Sequence, residues 1–194
     1  MIPEPCVATI GFFDGVHMGH RYLIQQVKEI AAAKGLRSAL VTFPVHPRKV
    51  MNAAYHPELL TTPEEKTNLL AGTGVDYCLM LDFTPDISRL TAKEFMTQIL
   101  KERFQVKYLV IGYDHRFGHN RSEGFDDYVR YGQAIGIEVI RAQAYTDDIQ
   151  IDTIQSAPVS SSLIRKLLHQ GDVDVAARCL GYEYFLDETV VGGY

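Results

Sequence analysis

Ala8-Thr-Ile-Gly-Phe-Phe-Asp-Gly-Val-His-Met-Gly-His20 joins an apolar run to an amphipathic one through a glycine-rich turn. The run at Val7–Ile10 predicts a strand. Leu23, Ile24, Val27, Ile30 and Ala31 recur at helical spacing and predict the helix that follows. His17 and His20 fall in its first turn, and their i, i+3 spacing puts both on one face. A helix N-terminus at the carboxyl end of a parallel strand is an anion site, with unpaired N–H groups and the positive end of the dipole. Gly11, Gly15 and Gly19 let a ligand approach the backbone. Histidine is disfavoured here because an imidazolium opposes the dipole, so two of them predict a bound anion. The turn therefore implies a nucleoside triphosphate, with His17 and His20 against its phosphates.

The rest of the chain extends this pattern. Gly35 ends the first helix, and Ser38–Phe43 predicts a second strand. Pro44-Val-His-Pro47 follows, and its two prolines predict a rigid, non-helical loop that holds His46 just past the strand end. Residues 52–62 read as loop. Thr62-Pro63-Glu64-Glu65 opens a helix to about Ala71: an N-cap, proline at N1, then an acidic first turn. Tyr77–Phe83 is a third strand. Thr91-Ala-Lys-Glu94 is a capping-box pattern, with Phe95, Ile99 and Leu100 on one face of its helix. Tyr108–Gly112 is a fourth strand before the polar loop Tyr113–Arg121. A helix at Phe125–Ile135 leads to a fifth strand, Glu138–Ala142, and Ile149–Ile154 reads as extended. Ser160 caps a helix to Leu168, and Val173–Leu180 forms another. Strands alternating with helices imply an α/β fold: a Rossmann-like, doubly wound parallel sheet of about five strands with a short C-terminal helical segment. The first turn, the Pro-His-Pro loop and the Tyr113–Arg121 loop then share the sheet edge where such folds bind ligands.

Composition sets outer limits. The 194 residues, 46% apolar and 22% charged, suffice for one good core. A formal charge of −5 argues against non-specific nucleic-acid binding. No apolar run approaches the ~20 residues of a membrane span. No charged and apolar leader pattern opens the chain, which reads as cytoplasmic without a membrane partner. Cys6, Cys78 and Cys179 lack metal or redox spacing and read as plain buried or half-buried thiols. No His/Asp/Glu cluster has the spacing of a protein-only metal cage, so no metal ligands are assigned. Self-association is left open.

Gly11-Phe-Phe-Asp-Gly-Val-His-Met-Gly-His20 resembles the G-x-F-D-G-x-H-x-G-H signature of the nucleotidylyltransferase superfamily. Further blocks narrow the match: Thr42-Phe-Pro-Val-His-Pro47, Leu60-Thr-Thr-Pro-Glu-Glu-Lys66, Gly74-Val-Asp76, Gly112-Tyr-Asp-His-Arg-Phe-Gly118, Val159-Ser-Ser-Ser-Leu-Ile-Arg165, and Gly171–Ala177 with Leu180-Gly181. As a set over roughly residues 5–185, they resemble the FMN adenylyltransferase (FAD synthetase) module of prokaryotic bifunctional riboflavin kinase/FMN adenylyltransferases. The block at 159–165 departs from the family's I-S-S-T-x-I-R only at Val159 and Ser162, and both keep the chemistry.

The resemblance implies FAD synthesis from ATP and FMN with Mg²⁺ held mainly by ATP phosphates. It implies catalytic roles for His17, His20, Ser161 and Arg165. ATP is expected against Gly11, Phe12, Phe13, Asp14, Gly15, His17, Gly19, His20, Gly112, Asp114, Ser160, Ser161, Ser162 and Arg165. Flavin is expected against His46, Pro47, Asp114, Arg116 and Phe117, with Phe13 and Phe117 offering flat apolar faces and Arg116 a fork matched to phosphate. Arg121 is a weaker candidate. The domain would span 1–183. Tyr184–Val191 reads as a further strand, either an edge strand packed on this domain or the opening of a second one. The resemblance makes residues 184–194 look like the first strand of a riboflavin kinase barrel, so kinase activity is expected to be absent from this chain. Two rivals stay open: transfer to another phosphorylated acceptor, such as a pantetheine or nicotinamide phosphate, and a non-catalytic nucleotide- or flavin-binding module.

Overall fold

Five parallel strands form one sheet in the order β3-β2-β1-β4-β5. They are β1 (Cys6–Ile10), β2 (Arg37–Thr42), β3 (Tyr77–Met80), β4 (Val106–Ile111) and β5 (Glu138–Arg141). This is a computed structural model, and it describes residues 4–112, 115–119, 122–146 and 158–186. The order reverses between β1 and β4, so the crevice above their carboxyl ends is the switch point where open α/β sheets take ligands. The expected doubly wound sheet is therefore present.

Both faces of the sheet are covered, which explains the near-continuous apolar strands. Alternate residues Ala8, Ile10, Ala39, Val41, Leu109 and Ile111 pack in one core with Met96, Leu100 and Tyr128. The intervening Val7 and Val110 meet Val27 and Ala31 of α1 (Met18–Lys34). Leu40 meets Ile24 and, from α3 (Pro63–Ala71), Leu70. Thr62 and Glu65 close the expected capping box: Glu65 N–H donates to the Thr62 hydroxyl at 3.2 Å, and Thr62 N–H to the Glu65 carboxylate at 2.7 Å.

Several elements differ from the sequence expectation. Pro47 does not forbid a helix; at N1 it opens a short one, α2 (Pro47–Met51), whose N-cap is His46. The reason is that N1 has no intrahelical N–H to lose. A further short helix, α4 (Pro85–Arg89), starts the same way behind Thr84. The helix opened by Thr91, α5 (Ala92–Glu94), runs on with π hydrogen bonding over Phe95–Arg103. β3 stops at Met80 instead of Phe83, although Leu81 N–H still donates to Thr42 O at 2.8 Å. α6 (Phe125–Ile135) returns the chain to β5. The extended reading of Ile149–Ile154 lies outside the described residues. So does most of the strand expected at Tyr184–Val191, and the described residues 184–186 have no strand pairing.

The last two helices, α7 (Ser161–Gln170) and α8 (Val173–Leu180), build a separate small core. Ile164, Leu167, Ala176, Cys179 and Leu180 bury against Leu60, a residue of the loop between α2 and α3. This packing brings the C-terminal helices to the switch-point edge of the sheet. Cys6 and Cys179 are buried and Cys78 half-buried, and none of the three forms a disulfide among the described residues.

Candidate active site

The turn after β1 is shaped by its own side chains. Phe13 holds a left-handed backbone (φ 57°) and is buried at 3% exposure, packed with Val16, Ile24, Leu40 and Leu70. Gly15 has φ +77°, and a Cβ there would meet Leu60 Cδ1 at 2.8 Å. A Cβ on Gly19 would meet the His17 ring at 3.2 Å, and one on Gly11 the Phe13 ring at 3.0 Å. Glycine at these three positions is required by the surrounding packing. At Gly112 a Cβ would meet nothing within 4 Å, so space is open there.

His17 caps α1, its Nδ1 accepting from His20 N–H at 3.3 Å. That bond fixes the tautomer: Nδ1 is the acceptor, so the neutral ring carries its proton on Nε2. The His20 ring stacks on it at 3.6 Å between centroids and is braced by Phe13 at 5.2 Å. Burial pushes the His17 pKa down to about 4. Burial also lowers His20 well below its usual value, helped by His17 and His115. Both are neutral at physiological pH in the free protein, so they present N–H donors and not positive charge. His20 Nδ1 is buried without a hydrogen-bond partner among the described residues.

Asp14 is the hub of the site. Its Oδ1 accepts from the N–H groups of Leu60 (2.9 Å) and Thr61 (3.3 Å). Its Oδ2 pairs with Arg165 Nη1 at 2.8 Å. Burial raises its carboxyl pKa above the ordinary carboxylate value, against the opposing pull of these donors. The turn is tied to the C-terminal helices twice more. The Ser161 hydroxyl donates to Asp14 O at 2.9 Å, and the Tyr182 hydroxyl to Gly15 O at 2.7 Å. Ser160 caps α7, its hydroxyl accepting from Leu163 N–H at 3.2 Å. Arg165 Nη1 also donates to Glu58 O at 3.3 Å, and Nη2 to the Ser162 hydroxyl at 3.4 Å. Two helix N-termini, at His17 and Ser160, thus converge on one crevice.

Along the same edge, Phe12 packs edge-on against His46, with centroids 4.7 Å apart. His46 Nδ1 accepts from Arg48 N–H at 3.1 Å. Burial lowers the His46 pKa, with Arg48, Arg165 and Lys66 adding to the effect. These cations gather around one histidine in a chain whose net charge is −5, which makes the crevice locally attractive to anions.

The expected site residues divide accordingly. Gly11, Phe12, Gly15, His17, Gly19, His20, Gly112, Ser160, Ser161, Ser162, Arg165, His46 and Pro47 all lie at this edge. Asp14 is there too, but as the anchor of Arg165 and of residues 60–61. Phe13 and Phe117 are core residues, correcting their reading as flat faces for a ring. Phe117 is 8% exposed and stacks on Tyr128 at 4.2 Å. Arg116 is exposed on the loop after β4. Asp114 and Arg121 lie outside the described residues. Sequence reasoning gave no role to Lys66, Thr61, Tyr182 or His115, although each stands in or beside a motif block. Among the described residues no group of three or more His, Cys, Asp or Glu side chains is placed to hold a metal ion. None of their helices is long and apolar enough to cross a membrane.

Comparison with known proteins gives a consistent result. Residues 1–158 match the family model described as FAD synthetase. A bifunctional riboflavin kinase/FMN adenylyltransferase of Listeria monocytogenes is 34% identical over 188 residues, covering 96% of this chain. The protein of the same name from Escherichia coli is 32% identical over 190 residues, covering 98%. The chain spans 57% and 58% of the length of these two relatives. A Streptococcus pneumoniae crystal structure titled as a macrolide-efflux protein superposes with a TM-score of 0.80 at 28% identity, covering 95% of this chain and 67% of that one. The chain belongs to the FAD synthetase family.

Proposed function

We propose that this chain is a nucleotidyltransferase that moves AMP from ATP to FMN, giving FAD and pyrophosphate. The observation that carries the reading is the convergence of two helix N-termini, with His17, His20 and Arg165, at the switch point of the sheet. That is a site for two polyanions, as adenylyl transfer requires. The family match supplies the acceptor.

An FMN phosphate oxygen attacks the α-phosphorus of ATP in line, and the bond to the β-phosphate bridge oxygen breaks. The phosphate monoester is ionised near neutral pH, so no general base is needed and no covalent enzyme intermediate forms. The protein's task is alignment and charge stabilisation. The N–H groups at the starts of α1 and α7 hold phosphate oxygens. His17 Nε2–H and the His20 ring donate to the phosphoryl group as charge shifts to the leaving pyrophosphate. Arg165 turns part of its fork to that pyrophosphate while Asp14 keeps the other part fixed. Ser160, Ser161 and Ser162 line the second half of the clamp. Gly11, Phe12, Gly15, Gly19 and Gly112 border the nucleotide. Asp114, outside the described residues, is assigned the orienting of ribose or flavin. His46, Pro47 and Arg116 face the flavin phosphate side, with Phe117 supporting from the core.

Mg²⁺ travels with ATP in this reading. It would be held mainly by phosphate oxygens. When bound it neutralises phosphate charge. A cytoplasmic location and a domain boundary near residue 183 belong to the same proposal.

The test is incubation of the chain with ATP, Mg²⁺ and FMN, followed by chromatography. FAD and pyrophosphate in equal amounts support the reading. Product only with a pantetheine or nicotinamide phosphate selects another acceptor. No product from any acceptor overturns the assignment.

A further inference from the structure

Lys66 is a buried charged side chain with no part in the chemistry of phosphate transfer. It lies on α3 one turn before Leu70, faces the core with it, and is 2% exposed. Its Nζ donates to Phe43 O at 2.7 Å. The same nitrogen sits 3.8 Å above the centroid of the Phe12 ring. An ammonium taken this far from water needs such partners, since burial of an unpaired cation is strongly unfavourable.

The two partners come from different loops. Phe12 belongs to the turn after β1. Phe43 directly follows β2 and precedes Pro44, which has no N–H with which to fasten this loop. Phe12 in turn packs against His46 at 4.7 Å. One ammonium therefore touches both sides of the seam between the nucleotide turn and the Pro-His-Pro loop. We propose that Lys66 is a positioning residue that fastens the Phe43–Pro47 loop to Phe12 and so sets where the acceptor phosphate meets ATP. This rests on the adenylyl-transfer reading and adds to it a residue that touches neither substrate.

The charged and titratable groups facing Lys66 are Asp14 on the nucleotide turn, Cys78 on β3 and His46 on the acceptor loop. Burial lowers its pKa to about 8, and Asp14 and Cys78 oppose that shift. Lys66 is cationic at neutral pH and becomes neutral above about pH 8. Neutral Lys66 keeps one bond to Phe43 O but loses the cation's attraction to the Phe12 ring. The seam then loosens as pH rises.

The experiment compares wild type with Lys66→Met, which fills the same space without charge. Steady-state rates are measured against FMN and ATP separately from pH 6.5 to 9.5. At pH 7, kcat/KM for FMN falls about tenfold or more in Lys66→Met, as expected when a reactant is held off its line of attack. The KM for ATP stays within about twofold, since the contacts of His17 and Arg165 are untouched. Wild-type kcat/KM for FMN declines above about pH 8, and Lys66→Met lacks that limb. A folded Lys66→Met with unchanged FMN kinetics, or with equal losses toward FMN and ATP, overturns the inference. So does a wild-type FMN profile flat to pH 9.5, which needs no variant to fold. If wild type forms no FAD at all, the proposed function fails instead; if it does and these outcomes appear, only the role of Lys66 fails.

Discussion

Asp14→Asn tests whether the nucleotide turn and the C-terminal helices are coupled as the geometry indicates. The amide keeps an oxygen that can accept from Leu60 and Thr61 N–H, at 2.9 and 3.3 Å in the native site. It loses the negative charge that faces Arg165 Nη1 at 2.8 Å. Exposed ion pairs contribute about 0.2–1 kcal/mol, and breaking a fully buried pair costs about 3–5 kcal/mol. Here the Asp14 side chain is 8% exposed and Arg165 is 30% exposed, so the pair falls between these limits. Asp14→Asn loses that attraction but also the burial cost that raises the Asp14 pKa, so the two offset and its Tm stays near wild type. Arg165→Met leaves Asp14 buried with its two amide donors and without its cation, at a cost of about 2 kcal/mol, or roughly 4–8 °C in Tm for a domain of this size. In the double variant neither charge remains, so its stability returns near wild type and a double-mutant cycle by urea unfolding gives a coupling of about 2 kcal/mol. Additivity within about 0.5 kcal/mol would refute the reasoning. In that case the contact is only proximity, and the clamp is held by Ser161, Tyr182 and the packing of Leu60.

His17 makes stability depend on pH. Its pKa falls from 6.5 in the unfolded chain to about 4 in the fold, so the unfolded chain binds the extra proton. The native state is at full strength above pH 6.5 and loses about 3 kcal/mol as pH falls from there to about 4. Denaturant midpoints across that range check this, and His17→Asn is expected to flatten much of the slope. His20→Ala removes one phosphate donor and is expected to slow FAD formation about a hundredfold with a Tm near wild type; turnover within a few-fold of wild type contradicts the role. Gly15→Ala places a Cβ at φ +77° and 2.8 Å from Leu60 Cδ1, with an expected loss of about 2–4 kcal/mol in unfolding experiments.

The sequence carried much of the fold because each βα unit signals locally. The apolar run at Val7–Ile10, the helical spacing from Leu23 to Ala31, and the Thr62–Glu65 and Thr91–Glu94 capping boxes are all resolved within a few residues. The misreadings have equally local reasons. Proline at 47 stops a helix from arriving but lets one begin. Phe13 and Phe117 carry the same ring whether they face a ligand or a core, and only the packing of Leu70 and Tyr128 tells which. Asp14 stood inside a recognised motif, but its partner is 151 residues away along the chain. That contact depends on how α7 and α8 pack on Leu60, which no local pattern encodes. Lys66 left a faint trace. It precedes Leu70 by one helical turn, and so falls on the side of α3 that faces the core.

The central claim is that the adenylyl group of ATP passes whole to the phosphate of FMN in this crevice. It is tested most directly with ATP radiolabelled either at the α- or at the γ-phosphorus, supplied with Mg²⁺ and FMN. The account predicts that α-label co-elutes with FAD and γ-label is recovered wholly in pyrophosphate, both signals falling about a hundredfold in His20→Ala. Label from the γ-position on the flavin, or FAD-free release of phosphate, would contradict it.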